Sequence, residues 1–205
     1  GLPLEFCPTQ FLLSGNPVQD VTLQNPTQFS QDFPGTPGYP AVDFSDTSLD
    51  LDYSLLNGPV DVTGVSFSIF VQESAPDTDI LSILDSDGQG LLNVSISSGE
   101  LQINANVTSS NNPIPIEDLN KTLLQNQWNE VTILLASSFA GLPLNYYSGV
   151  NGQVSGLTFE VDRWDFTDAT FKIIGGASVA CLYVSGEVQS TNYNSIIGNS
   201  PCKDY

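Results

Sequence analysis

Three observations predict an all-β chain folded as a two-sheet antiparallel jelly-roll sandwich. Short β-rich runs recur from Ala41 onward, Gly and Pro turns separate them, and helical periodicity is nearly absent. The 205 residues are 40% hydrophobic, enough for one domain with a real core and too apolar for disorder. No internal repeat or second domain is visible. No apolar run reaches the roughly 18 residues of a membrane span. No signal peptide is visible either, so Gly1 reads as the start of a mature chain or of an expressed piece.

The elements follow in order. Residues 1–40 are rich in Pro, Gln, Asn and Gly (Asn16-Pro17, Asn25-Pro26, Phe33-Pro-Gly-Thr-Pro-Gly38) and predict an irregular arm packed on the sandwich, with one strand around residues 18–23. Residues 41–205 form the domain itself. Phe67-Ser-Ile-Phe-Val71 is apolar with partial alternation, and Ile80-Leu-Ser-Ile-Leu84 follows a polar loop. Leu91-Leu-Asn-Val-Ser-Ile96 meets a turn at Ser97-Ser-Gly99 and then the strictly alternating Leu101-Gln-Ile-Asn-Ala-Asn-Val107, which predicts a hairpin. Ile116-Glu-Asp-Leu-Asn120 is the one helical candidate, a single turn; residues 145–150 are too Gly-bounded for a long helix. Trp128 opens the strand Val131-Thr-Ile-Leu-Leu135 and is expected in the core, where a large aromatic surface is best buried. Leu157-Thr-Phe-Glu-Val161, Thr170-Phe-Lys-Ile-Ile174 and Cys181-Leu-Tyr-Val184 complete the series.

Charge is the most unusual property of the chain. Sixteen Asp or Glu precede Lys121, the first cation, and the formal net charge is −19 with no His. Unpaired like charge opposes compaction, so salt, divalent cations or a cationic surface is expected to compensate it. Nucleic acid and anionic membrane both need basic patches and are excluded as partners. Catalysis by a nucleophile–His pair is excluded by the lack of His.

Three sequons, at Asn93, Asn106 and Asn120, are candidate glycosylation sites and, with the Cys content, point to a secreted, extracellular protein. Three Cys cannot all pair within one monomer. Cys181 and Cys202 bracket the C-terminal tail and are the favoured disulfide, leaving Cys7 free or bonded elsewhere; Cys7–Cys202, tying the termini together, is the competing pair.

The strand series also has a recognisable order: Val65-Ser-Phe-Ser-Ile-Phe-Val71, Asp79-Ile-Leu-Ser-Ile-Leu-Asp85, Ser98-Gly-Glu-Leu-Gln-Ile103, Leu124-Gln-Asn-Gln-Trp-Asn-Glu-Val-Thr-Ile133, Phe171-Lys-Ile-Ile-Gly-Gly176 and Val179-Ala-Cys-Leu-Tyr-Val-Ser-Gly186. Over residues 60–188 this resembles the laminin G-like domains, a concanavalin-like jelly roll. Asn129 stands where that family often has His, and Ala180 where it has Gly. The resemblance implies a terminal disulfide at Cys181 and Cys202. It also implies one rim Ca²⁺, with Asp85-Ser-Asp-Gly-Gln-Gly90 as the first metal loop.

Independently, Asp85 and Asp87 lie two apart before Gly88, so the chain can curl both carboxylates towards one hard cation. A solvated turn is the competing account. A second acidic surface is expected from Asp43, Asp46, Asp50 and Asp52: in an extended strand Asp50 and Asp52 share one face about 6.8 Å apart, a row suited to weakly held cations or mineral unless it is an ordinary solvated edge. Glu160-Val-Asp-Arg-Trp-Asp165 is similar to the E-x-D-x-x-E signature of β-glucanases of the concanavalin-like fold, which implies a nucleophile at Glu160, a modulator at Asp162 and a general acid at Asp165. Asp165 is short for that role, and two Trp supply little of a sugar-stacking cleft.

The function expected is a non-enzymatic extracellular-matrix binding or scaffold module that meets Ca²⁺ or mineral through its acidic surface. Its composition is similar to that of acidic mollusc shell-matrix proteins, which implies biomineralisation. The partners expected are a matrix protein, a polysaccharide or calcium carbonate. A carbohydrate-binding lectin-like domain is the alternative, with a β-glucanase-type hydrolase behind it.

Overall fold

A computed structural model describes residues 4–7, 12–13, 21–23, 29–30, 41–43, 49–52, 61–62, 64–71, 77–110, 112–136, 144–155, 160–162, 164–166, 168–173 and 178–185. Two antiparallel sheets pack as a sandwich, the all-β architecture that the strand pattern predicts. The 10-stranded sheet runs β15 (Gln153–Ser155), β14 (Leu144–Val150), β13 (Gln127–Ala136), β8 (Gly64–Val71), β19 (Ser178–Ser185), β1 (Leu4–Cys7), β2 (Leu12–Leu13). Off that path β16 (Glu160–Val161) joins β14, and β5 (Ala41–Asp43) joins β19 and carries β4 (Phe29–Ser30). The 7-stranded sheet runs β12 (Asn112–Thr122), β11 (Glu100–Ser109), β10 (Gly90–Ser97), β9 (Thr78–Leu84), β18 (Thr170–Ile173), β6 (Leu49–Asp52), β3 (Val21–Leu23). A two-stranded ribbon pairs β17 (Trp164–Asp165) with β7 (Asp61–Val62).

Period-2 patterning sets which face meets the core. In β11, Leu101, Ile103, Ala105 and Val107 are buried, while Asn104 and Asn106 are exposed. Leu92, Val94 and Ile96 of β10 lie opposite Ala105, Ile103 and Leu101, so the two strands bury one continuous apolar face. From the other sheet, Val65, Phe67, Ile69 and Val71 of β8 meet them. Burying each such aliphatic side chain contributes about 1.5–3 kcal/mol. β8 is buried on both faces: the intervening Ser66, Ser68 and Phe70 are also no more than 4% exposed.

Turns obey local chemistry. Ser98 (φ 53°) and Gly99 (φ 77°) make the two-residue turn of the predicted β10–β11 hairpin. Asn151 (φ 53°) and Gly152 (φ 78°) do the same between Val150 and Gln153, joining β14 to β15. Both turns need two positive φ angles, which favours Asn and Gly.

Two expectations change, the helical turn and the core indole. The helical turn at residues 116–120 is instead part of β12, an 11-residue edge strand. Its Pro113 and Pro115 fall two apart, so both imino nitrogens lie on the side away from the β11 ladder, where no backbone donor is required. The arm of residues 1–40 supplies strands to both sheets, β1 to one and β3 to the other. The core indole is Trp164, 0% exposed, set edge-on to Phe166 at 5.3 Å with its Nε1 donating to the Leu91 carbonyl at 3.3 Å. Trp128 is half-buried. Its register partner is Phe70, on the face of β8 turned away from the core, and the rings meet edge-on at 5.7 Å.

Candidate functional site

The outer face of the 7-stranded sheet carries a row of polar residues, one from each strand. Glu117, Asn104, Asn93, Ser82, Lys172, Asp50 and Thr22 stand opposite one another in unbroken register from β12 to β3. Their face is fixed by parity, since the adjacent row Ile116, Ala105, Leu92, Ile83 and Phe171 is the one that meets the core at its four described side chains. At the inter-strand spacing the row extends about 29 Å. It is open at the β11–β12 end, where Glu117 and Asn104 are exposed, and closes inward to Asn93, half-buried, and Ser82, 8% exposed.

Around the open end the chemistry is mostly carboxamide. Gln102 and Asn120 hold each other: Gln102 Nε2 donates to Asn120 Oδ1 at 3.2 Å, and the Asn120 N–H donates to Gln102 Oε1 at 3.1 Å. Asn106 Nδ2 donates to the Gly90 carbonyl at 2.7 Å. These bonds orient the amides, and each retains donor or acceptor capacity towards solvent. Fixed amides beside one carboxylate suit ligands with paired hydroxyls.

All three sequons occupy this sheet. Asn106 and Asn120 are exposed, Asn120 with φ 62°, whereas Asn93 sits half-buried in mid-strand with Oδ1 buried and without a protein hydrogen-bond partner.

The Asp85–Gly90 loop is a turn closed by its own carboxylate. Asp85 Oδ1 accepts from the Asp87 N–H at 2.9 Å and the Gln89 N–H at 2.8 Å, the Asp85 N–H donates to the Gln89 carbonyl, and Gly88 takes φ 79°. One of the Asp85 oxygens therefore already serves the backbone, and Asp87 is exposed. No group of three or more Asp, Glu, Cys or His suited to a metal is found among the described residues.

The acidic surface expected over Asp43–Asp52 is divided between the sheets. Asp43 belongs to β5 and pairs with Ser178, while Asp50 and Asp52 belong to β6. That strand is not an edge, because β3 pairs along its far side. Asp50 also stands opposite Lys172, one of the four basic residues, in the register of β6 and β18. Asp46 and Cys202 lie outside the described residues.

The first cation of the chain is buried. Lys121 (6% exposed) and Asp118 (5%) project from β12 into the space between the sheets, Nζ to Oδ1 3.2 Å. From β14 of the opposite sheet, Tyr146 OH donates to Asp118 Oδ2 at 2.9 Å, and Ser148 Oγ donates to the same oxygen. This is a polar clamp between the sheets, shut off from solvent.

Asn129, at the position where the resembled family has His, is a second clamp. It is 0% exposed; its Oδ1 accepts from the Leu124 N–H and from Asn151 Nδ2, and its Nδ2 donates to the Leu124 and Gln127 carbonyls, all at 2.9–3.1 Å. Both hydrogen-bonding atoms are spent on loop backbone and a neighbouring amide, so Asn129 holds two turns together.

The glucanase-like motif is not one strand. Glu160 lies in β16 of the large sheet, opposite Asn145, whereas Asp165 lies in β17 of the ribbon, opposite Asp61. Asp162, between them, accepts from the Ser110 N–H at 2.5 Å and donates its own N–H to the Thr108 carbonyl. Trp164 points inward. The central carboxylate thus anchors a loop.

No family model matches the chain, and no curated protein matches it. Solved structures do. The ligand-binding domain of botulinum neurotoxin serotype D in complex with N-acetylneuraminic acid is similar with a TM-score of 0.63 at 11% identity, covering 95% of this chain and 48% of that one. The botulinum neurotoxin type C structure, a toxin dependent upon interaction with two ganglioside molecules, gives 0.55 at 13%, covering 95% and 49%. The receptor-binding domain of the mosaic serotype C/D gives 0.53 at 13%, covering 95% and 48%. The chain spans about half the length of these proteins. At such identities the likeness is one of fold, and this chain shares its β-sandwich with domains that bind ligands.

Proposed function

We propose that the chain is a non-enzymatic carbohydrate-binding module of lectin type. Its ligand lies on the outer face of the 7-stranded sheet at the β11–β12 end. The observation that carries this reading is the exposed Asn104–Glu117 pair, with Gln102 and Asn106 flanking Asn104 on β11, a strand paired on both sides by β10 and β12. Carboxamides and a carboxylate bind sugar hydroxyls as donor–acceptor pairs, and a sheet holds them in place without ordering cost at binding. The fold likeness to sialic-acid- and ganglioside-binding toxin domains supports the sugar class.

Charge selects within that class. A chain at −19 with a carboxylate in the site repels a sialic acid or uronic acid, so the ligand is a neutral oligosaccharide. The division of Asp43, Asp50 and Asp52 between two sheets favours this reading over a continuous mineral-binding row. A glycan array at 150 mM salt tests it: neutral glycans bind and anionic ones do not. Retention of sialylated glycans alone overturns the charge argument. Intact mass decides a competing use of the same face, because N-glycans on Asn106 and Asn120 would stand where the ligand is placed.

A further inference from the structure

The strand register brings together two cysteines that are 174 positions apart in sequence. β1 pairs antiparallel with β19 through Leu4–Val184, Glu5–Tyr183 and Phe6–Leu182. The observed pairs end at Phe6–Leu182; extending the same register by one residue sets Cys7, the last residue of β1, opposite Cys181 of β19. The register of β19 is regular at this point on its other side too, where Leu182 and Cys181 pair with Phe67 and Ser68; the bulge between β19 and β8 falls beyond Cys181, at Ala180. Directly opposed residues of an antiparallel pair share one face of the sheet. Their Cα atoms are about 4.5 or 5.5 Å apart according to the hydrogen-bonding site, both inside the 4.4–6.8 Å range of disulfides.

We infer that Cys7 and Cys181 form a cross-strand disulfide, which leaves Cys202 as the odd thiol. The pairing is different from the Cys181–Cys202 bond that the sequence favours and from its Cys7–Cys202 rival. It ties the N-terminal strand covalently to β19, the neighbour of β8 in the large sheet. Formation is a thiol–disulfide exchange with a small disulfide donor such as oxidised glutathione. One protein thiolate attacks the donor and releases one thiol; the second thiolate attacks the mixed disulfide and releases the other, so two protein thiols are oxidised and one donor disulfide is reduced to two thiols.

Cleavage chemistry suits the test. Trypsin cuts after Lys172 and Lys203, and a Glu-specific protease cuts after Glu5, Glu73 and Glu187, so the three cysteines fall in separate peptides, 6–73, 173–187 and 188–203. The full chain, oxidatively refolded in a glutathione buffer and alkylated without reduction, is digested with both enzymes and analysed by mass spectrometry. The inference predicts peptide 6–73 linked to 173–187 and an alkylated Cys202. A link between 173–187 and 188–203, a link between 6–73 and 188–203, or three alkylated cysteines each overturns it. Thiol titration in denaturant is an independent check. The Cys202→Ser variant contains no free thiol if the inference holds and two if Cys181 needs Cys202.

Discussion

Removing the Lys121 ammonium while leaving Asp118 in place is the sharpest perturbation of the fold. In Lys121→Met the methylene stem is roughly kept and the charge is lost, so a carboxylate 5% exposed is left between the sheets with, among the described residues, only the Tyr146 and Ser148 hydroxyls as partners. Breaking a buried pair by deleting one partner costs about 3–5 kcal/mol, because the remaining charge is uncompensated. For a chain of this size 1 kcal/mol moves Tm by about 2–4 °C, so a fall of roughly 6–20 °C is expected. The second half of the cycle, Lys121→Met with Asp118→Asn, removes both charges and keeps an amide oxygen for the two hydroxyls. It recovers most of the loss, since replacing both partners of a buried pair is far cheaper than orphaning one. Urea unfolding, followed by the fluorescence of Trp128 and Trp164, measures both variants without the screening that guanidinium would add. A loss under about 1 kcal/mol in the single variant would match a solvated surface pair and refute the clamp.

Other outcomes follow from the same geometry. Asn129→Ala leaves the Leu124 backbone N–H and carbonyl without their amide and costs about 2–3 kcal/mol by urea unfolding. Trp164→Ala costs about 3–5 kcal/mol, and Trp128→Ala, half-buried on the opposite face, distinctly less; the reverse order would place the core on the wrong side of the large sheet. Gly152→Ala meets no atom within 4 Å, so only the positive φ resists it, at about 1 kcal/mol. Tm rises with NaCl as self-repulsion at −19 is screened, and CaCl₂ at equal ionic strength adds a further rise only if carboxylates of the folded chain hold the ion, and an Asp85→Asn, Asp87→Asn variant that loses that rise assigns it to their loop.

The sandwich was legible because strand periodicity is a local signal. Leu101–Val107 alternates without a break, and Ser98-Gly99 supplies the turn before it. What failed were segments whose identity depends on position in the sheet. Pro113 and Pro115 disguise β12, because proline is compatible with a strand only at an edge and edges are a property of topology. Residues 145–150 of β14 are bounded by a Gly-rich stretch, yet Asn151-Gly152 was a hairpin signal available in the sequence.

The candidate site is harder to read for the same reason. Asn93, Asn104 and Glu117 are scattered polar residues until register aligns them, whereas Asp85 and Asp87 attract notice through spacing alone, which does not reveal that Asp85 Oδ1 accepts from two N–H groups of its own loop. The buried Lys121–Asp118 pair has i, i+3 spacing that suggests a helix. A β-bulge between β11 and β12 instead brings both side chains to the inner face of one strand. The Cys7–Cys181 juxtaposition arises wholly from the return of β1 to β19, which no spacing rule reveals.

The central claim is that neutral oligosaccharides dock on the outer face of the smaller sheet through Asn104. Isothermal titration of a neutral array-positive oligosaccharide into the wild type and into Asn104→Ala tests it most directly. The account predicts at least about a tenfold weaker Kd for the variant, the loss of one or two hydrogen bonds, with Tm unchanged because Asn104 is exposed. Equal affinity of the two proteins, or no neutral glycan bound by the wild type, contradicts it.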